Sequence, residues 1–203
     1  MDDIPLPPPR DWIVAGTEAR LSVIEVGRLA TPEGRIVFLD PLSSDTGRAA
    51  GFVAVPDSGG ALVVFRDQAE GRNSKLALIF AEAAVHGGAE VGAIPVDTGL
   101  VSVFTPATAR ALARFADTLA PGQDLYNDFF AFFDEPAGGE AKFVPLPDGT
   151  PIPYIHSGWG DGHYPVFTLT GETGNVIAVY TDFMGRNDAG AFLRPPGTPP
   201  EAD

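Results

Sequence analysis

The run Ile155-His156-Ser157-Gly158-Trp159-Gly160-Asp161-Gly162-His163-Tyr164-Pro165-Val166-Phe167 changes character at its middle. In its first half, Gly158, Gly160 and Gly162 alternate with Trp159, Asp161 and His163. Glycine reaches positive φ and lets backbones approach closely, so alternating glycines predict a tight corner. From Tyr164 to Thr170 the pattern becomes that of a strand whose aromatic and β-branched residues suit a pleated, half-buried surface. Asn175 to Thr181 repeats that pattern. Gly171-Glu172-Thr173-Gly174 between them supplies turn chemistry, which predicts an antiparallel hairpin. A glycine corner feeding a hairpin makes the class β-rich.

The rest of the chain reads the same way. Of 203 residues, 24 are Gly and 20 are Pro, which predicts many turns and few long helices. Leu21–Val26 and Arg35–Leu39 are expected to pair across Thr31-Pro32-Glu33-Gly34. Gly51–Val55 and Ala61–Phe65 are expected to pair across Pro56-Asp57-Ser58-Gly59-Gly60. Residues 67–75 read as a polar loop. Strands follow at Lys75–Phe80, at Glu90–Val96 with an interruption at Pro95, and at Leu100–Phe104 after Asp97-Thr98-Gly99. Thr105 is placed to cap a helix that begins at Pro106, carries Leu112, Phe115 and Leu119 on one face, and stops at Pro121-Gly122. Asp124 to Asp134 reads as a second helix whose phenylalanines face the core. Lys142–Val144 and Ile152–Ile155 flank a turn at Pro147-Asp148-Gly149. The expected fold is α+β, predominantly antiparallel β in one bent sheet or two packed sheets, with one or two helices at about 105–134. One β-rich domain is expected over residues 12–190, between extended, Pro-rich tails at 1–11 and 191–203.

Composition excludes several function classes. The chain has no cysteine, which removes disulfides, zinc ribbons and a cysteine nucleophile. Met1-Asp2-Asp3-Ile4-Pro5 has neither the basic nor the apolar part of a signal peptide, and no apolar run approaches the ~20 residues that span a bilayer. A cytoplasmic protein without membrane contact is expected. The formal net charge of −14 repels phosphate backbones, so a nucleic-acid partner is not expected. The same charge favours a basic protein surface or a cation as partner.

The candidate site residues are Asp97, His156, Ser157, Trp159, Asp161, His163 and Asp182. Asp161 with His156 or His163 suits general acid–base work, because a carboxylate can orient an imidazole. Imidazole with carboxylate oxygen also suits a divalent metal. Ser157 lacks the G-x-S-x-G context of a nucleophile elbow. A structural reading stands beside these: Asp161 bonding backbone N–H groups in its own turn, with Trp159 as a lid over the core. Aspartates also sit at the ends of four expected strands, at Asp40, Asp97, Asp161 and Asp182. If converged, these would bind a hard cation or raise one another's pKa; the alternative is the ordinary use of Asp at strand ends. No P-loop, dinucleotide fingerprint, H-E-x-x-H or EF-hand loop is present.

Three segments together resemble a bacterial family known as domain of unknown function 4241. They are Val26-Gly27-Arg28-Leu29 with Gly34-Arg35-Ile36-Val37-Phe38-Leu39-Asp40-Pro41-Leu42, then Val96-Asp97-Thr98-Gly99, then Ser157-Gly158-Trp159-Gly160-Asp161-Gly162-His163-Tyr164-Pro165-Val166 with Val179-Tyr180-Thr181-Asp182-Phe183. The resemblance spans about residues 20–185. It implies a variable residue at His163, which speaks against that side chain as an essential catalyst, and it supplies no activity. Two functions from different classes are therefore expected. The first is a non-enzymatic, immunity-like module that masks a basic protein partner and needs no cofactor. The second is a hydrolase or divalent-metal-binding protein centred on the Gly-Trp-Gly-Asp-Gly loop.

Overall fold

The computed structural model describes residues 6–42, 51–133, 141–184 and 192–198. Within them the elements are α1 (Pro9–Ala15), β1 (Leu21–Leu29), β2 (Arg35–Leu39), β3 (Val53–Ala54), β4 (Gly60–Asp67), β5 (Asn73–Ile79), β6 (Gly87–Val96), β7 (Leu100–Phe104), α2 (Pro106–Ala116), α3 (Leu125–Asp128), a 3-10 turn (Phe130–Phe133), β8 (Ala141–Pro145), β9 (Pro151–His156), β10 (Gly162–Thr170) and β11 (Val176–Asp182). The fold is α+β and predominantly antiparallel. One sheet runs β1-β4-β5-β11-β10-β6, the other β3-β2-β7-β9-β8.

The apolar residues sort into three layers of core. Between the sheets, Leu62, Val64, Leu76, Leu78, Val166 and Val179 meet Ile36, Phe38, Val101, Val103 and Ile155. On the far side of the six-stranded sheet, Val63, Phe65, Ala77, Phe167 and Tyr180 lie beneath Ile13 of α1, with Trp12 and Leu193 packed alongside. On the far side of the five-stranded sheet, Val37, Phe104, Ile152 and Tyr154 meet Ala109 and Leu112 of α2 and Phe130. Strands β4 and β5 are therefore covered on both faces. That explains their continuous apolar runs, which ordinarily mark a sheet buried on both sides.

The last hairpin forms as its sequence implies, with β10 paired to β11. The two N-terminal hairpins do not form. β1 pairs with β4, and β2 pairs with β3 and β7. The turn chemistry at residues 31–34 is sound, with Gly34 at φ 59°, but it carries the chain from one sheet into the other. A reversal signal fixes where the chain turns; the choice of sheet depends on which layer has an open edge. Thr31, fully buried, ties this crossing to the one between β3 and β4: its Oγ1 donates to Pro56 O at 2.6 Å and accepts from Gly59 N at 3.0 Å. The hairpin that sequence reading misses is β4–β5, whose turn falls in the polar stretch read as a loop.

Three further expectations are corrected. The expected helix from Asp124 is a single α-turn followed by the 3-10 turn; Asp134 lies outside the described residues. Pro9 and Arg10 belong to α1, with Pro at the helix start where a missing N–H costs nothing. At the other end, residues 192–195 are docked. Leu193 N donates to Asp182 Oδ2 at 2.8 Å, the Tyr180 hydroxyl donates to Leu193 O, and Arg194 pairs with Glu90 at 2.8 Å. Residues 1–5, 185–191 and 199–203 of the expected tails and domain edge lie outside the described residues. Among the described residues no helix is long and apolar enough to cross a membrane.

Candidate functional site

Three chain reversals meet at one end of the sandwich: the β4–β5 turn, the β6–β7 crossing and the β9–β10 corner. Ser157 is fully buried, and its N–H donates to Gly99 O at 2.9 Å, fastening the corner to the β6–β7 crossing. Its hydroxyl donates to Gly160 O at 2.7 Å and accepts from Gly160 N at 3.1 Å, closing the corner on itself. The Tyr164 hydroxyl donates to the same Gly160 carbonyl at 2.9 Å. Burial, opposed by the Ser157 contact, raises the Tyr164 pKa above its usual value, and the Asp161 charge adds to the rise. Gly158 has φ 77°, and a Cβ there would collide with the Asn73 carbonyl oxygen, so glycine is required. Asn73 Nδ2 in turn donates to His156 O at 2.9 Å, joining β5 to the corner.

The reversals enclose a cleft of about 570 Å³ lined by Glu70, Gly71, Arg72, Gly99, His156, Gly158, Trp159 and Gly160. That volume falls within the range of small-ligand or side-chain pockets, roughly 300–1,000 Å³. Gly99 and Gly160 form bare backbone in its wall: a Cβ on Gly99 would approach only Gly160 Cα at 3.6 Å, and one on Gly160 would meet nothing within 4 Å. The Arg72 guanidinium sits 5.8 Å from the centre of the half-buried Trp159 ring, and its Nη1 donates to Gly158 O at 3.4 Å. The buried Asp67 shapes the turn that carries Arg72, accepting from Ala69 N at 2.7 Å and Glu70 N at 3.2 Å.

The residues expected to form the site divide. His156 and Trp159 line the cleft, Ser157 is buried within the corner between them, and Asp161 is exposed next to the lining Gly160 in the chain. His163 is exposed on β10, opposite Pro95. Gly162 pairs with Val96, so Asp161 and Asp97 follow at the same end of the β6–β10 ladder, and both are exposed. Asp182 is held elsewhere: it is buried and accepts from Lys75 Nζ at 3.1 Å, Met184 N at 2.9 Å and Leu193 N at 2.8 Å. Asp40 is also buried, with Oδ2 accepting from Asp97 N and Thr98 N at 3.0 Å each. The four strand-end aspartates thus do not share one fate: Asp40 and Asp182 are buried and Asp97 and Asp161 are exposed. Among the described residues no three His, Asp or Glu side chains are placed to hold a metal ion.

The Ser157 hydroxyl is engaged as donor and acceptor within its own turn, a structural use. What the arrangement offers chemically is recognition: an aromatic face, a carbonyl oxygen at Gly158, and carboxylates at the margin. Sequence reading missed Glu70 and Arg72. The only local signal was Gly71-Arg72-Asn73 after a buried strand, and nothing in it points to a partner loop so far along the chain.

A family model described as "Protein of unknown function (DUF4241)" matches residues 61–181. No curated protein and no solved structure matches the chain. The matched span runs from β4 to β11, short of one residue at each end, and includes every residue that lines the cleft.

Proposed function

We propose, for a chain that belongs to the family described as Protein of unknown function (DUF4241), that it is a non-enzymatic, immunity-like interaction module that covers a basic surface on a protein partner. One observation carries this reading: the half-buried Trp159 lines an open cleft, and the exposed Asp97 and Asp161 lie at the adjoining end of the β6–β10 ladder, Asp161 directly after the lining Gly160. Tryptophan is the residue type most often found as an interface anchor, because it offers large area for few rotatable bonds. Carboxylates around such an anchor steer an oppositely charged surface toward it. The net charge of −14 extends that steering beyond contact range.

The test is site-specific crosslinking in the cell that carries the gene. A photoreactive residue at His163, beside the corner, is expected to capture one basic protein. The same residue at Glu172, in the turn at the other end of β10, is expected to capture none. Asp97→Asn with Asp161→Asn, or raised salt, should weaken capture from His163, since exposed charge pairs are screened. Equal capture from both positions, or none from either, would overturn the reading. The competing reading, a hydrolase or divalent-metal protein, draws on the same paired carboxylates. Saturable binding of Zn²⁺ or Mn²⁺ that Asp97→Asn abolishes would favour it.

A further inference from the structure

We infer that the cleft is an arginine slot and that Arg72 is a stand-in for a guanidinium supplied by the partner. The inference rests on the interaction reading above and specifies what enters the site.

Arg72 is poorly held for an arginine. Its guanidinium lies 5.8 Å from the centre of the Trp159 ring, near the outer limit of about 6 Å for a cation–π contact. Its bond to Gly158 O, at 3.4 Å, is long and solvent-exposed. Among the described residues no carboxylate lies within ion-pair distance of it, although Glu70 lines the same cleft and the exposed Asp161 follows the lining Gly160 in the chain. Guanidinium groups bind best to carboxylates, through paired N–H donors. Three other described arginines do reach carboxylates: Arg10 meets both Glu25 and Glu82 at 2.7 Å, Arg110 meets Glu33 at 2.8 Å and Arg194 meets Glu90 at 2.8 Å.

The cleft therefore has what a guanidinium needs, and its resident uses only part of it. The wall offers a flat aromatic face and a carbonyl acceptor, and the carboxylates at the margin are exposed. An arginine arriving from outside can lie on Trp159 while its N–H donors reach outward to Asp161 or Asp97. Arg72, tethered to the β4–β5 turn, makes neither pair. The planar face selects arginine over lysine, whose ammonium is a point charge without a stacking surface. An anion entering the cleft would meet Arg72 as a donor but would also face Gly158 O and Glu70, and benzoate tests that alternative.

The experiment follows the Trp159 indole N–H signal by NMR in the intact chain, with Trp12, packed on Tyr180 across the sheet, as internal control. The probes are the blocked peptide acetyl-Gly-Arg-Gly-amide, its lysine counterpart, and sodium benzoate. The arginine peptide should shift Trp159 and leave Trp12 still, with the lysine peptide weaker and benzoate without effect. Arg72→Gln and Arg72→Ala should bind the arginine peptide about three- to fivefold more tightly than the unmodified chain, as removal of a weak internal cation–π competitor implies. Weaker binding by both variants would overturn the stand-in role, since Arg72 would then be part of the contact; so would tighter binding of benzoate than of the arginine peptide. Either of those results leaves the crosslinking test of the docking face intact. Trp159→Leu should abolish the response to peptide seen at neighbouring amides, and retention of that response would place the slot elsewhere.

Discussion

Asp40 and Asp182 stand beside Asp97 and Asp161 as the same residue at the same kind of position, the end of a strand, with opposite fates. The first two are buried and their oxygens are filled by main-chain N–H groups, a threonine hydroxyl or Lys75. The second two are exposed at one end of the β6–β10 ladder. The difference lies in what other segments bring. A carboxylate enters the interior only where donors arrive to replace water, because an uncompensated buried charge costs several kcal/mol. The Asp97-Thr98 crossing delivers such donors to Asp40, and β5 delivers an ammonium to Asp182. Among the described residues nothing comparable closes over Asp161, which stays exposed.

The comparison breaks if the buried pair proves dispensable. Asp182→Asn should destabilise the protein by roughly 3–5 kcal/mol in denaturant titration, because it strands the Lys75 ammonium in the interior. Lys75→Met combined with Asp182→Leu should recover much of that loss, since a well-packed apolar pair replaces both charges. Burial lowers the Lys75 pKa, and the Asp182 charge and hydrogen bond oppose that fall.

Asp40→Asn should cost less, roughly 2 kcal/mol, because it replaces one acceptor oxygen with a donor facing Asp97 N and Thr98 N while leaving no stranded cation. A loss below that of an ordinary surface mutation would mean the β2 end is not locked to the β6–β7 crossing.

Alkaline pH sharpens the contrast. Burial first, and the Asp182 charge second, hold the Tyr180 hydroxyl well above the usual tyrosine value of 10.0, with Arg194 opposing. A raised folded-state value means the native chain keeps a proton that the unfolded chain gives up. The associated stability is complete below about pH 10 and falls as pH climbs toward the folded-state value, by up to about 1.4 kcal/mol per pH unit. Tyr180→Phe should remove that part of the fall, measured as the change in unfolding free energy between pH 9 and about pH 11.

The smallest expected effect on stability belongs to the exposed pair. Asp97→Asn and Asp161→Asn should each move the unfolding free energy by no more than about 0.5 kcal/mol. Their effect should appear in partner capture. A large stability change in either would return it to the structural class occupied by Asp40.

The candidate site was partly legible in the chain. Ser157-Gly158-Trp159-Gly160-Asp161 lie together in sequence, and local rules for glycine and aspartate place them in a corner. The sequence suggests His156 as an acid–base partner for Asp161; the structure uses its carbonyl to anchor Asn73 and sets its ring edge-on to Tyr154. Glu70 and Arg72 were illegible because their turn reaches the corner only through the packing of β5 against β11 and the fit of Asn73 beneath Gly158.

The sequence by itself determined the strand segments, the capped helix at Thr105 and the glycine corner, because each follows from backbone sterics, short-range hydrogen bonding and the period of apolar residues. Only the tertiary structure decided which strands pair, that the turn at residues 31–34 crosses between sheets, and which aspartates are sealed. Those outcomes depend on donors and apolar faces arriving from distant parts of the chain, and a local pattern carries no record of what will be packed against it.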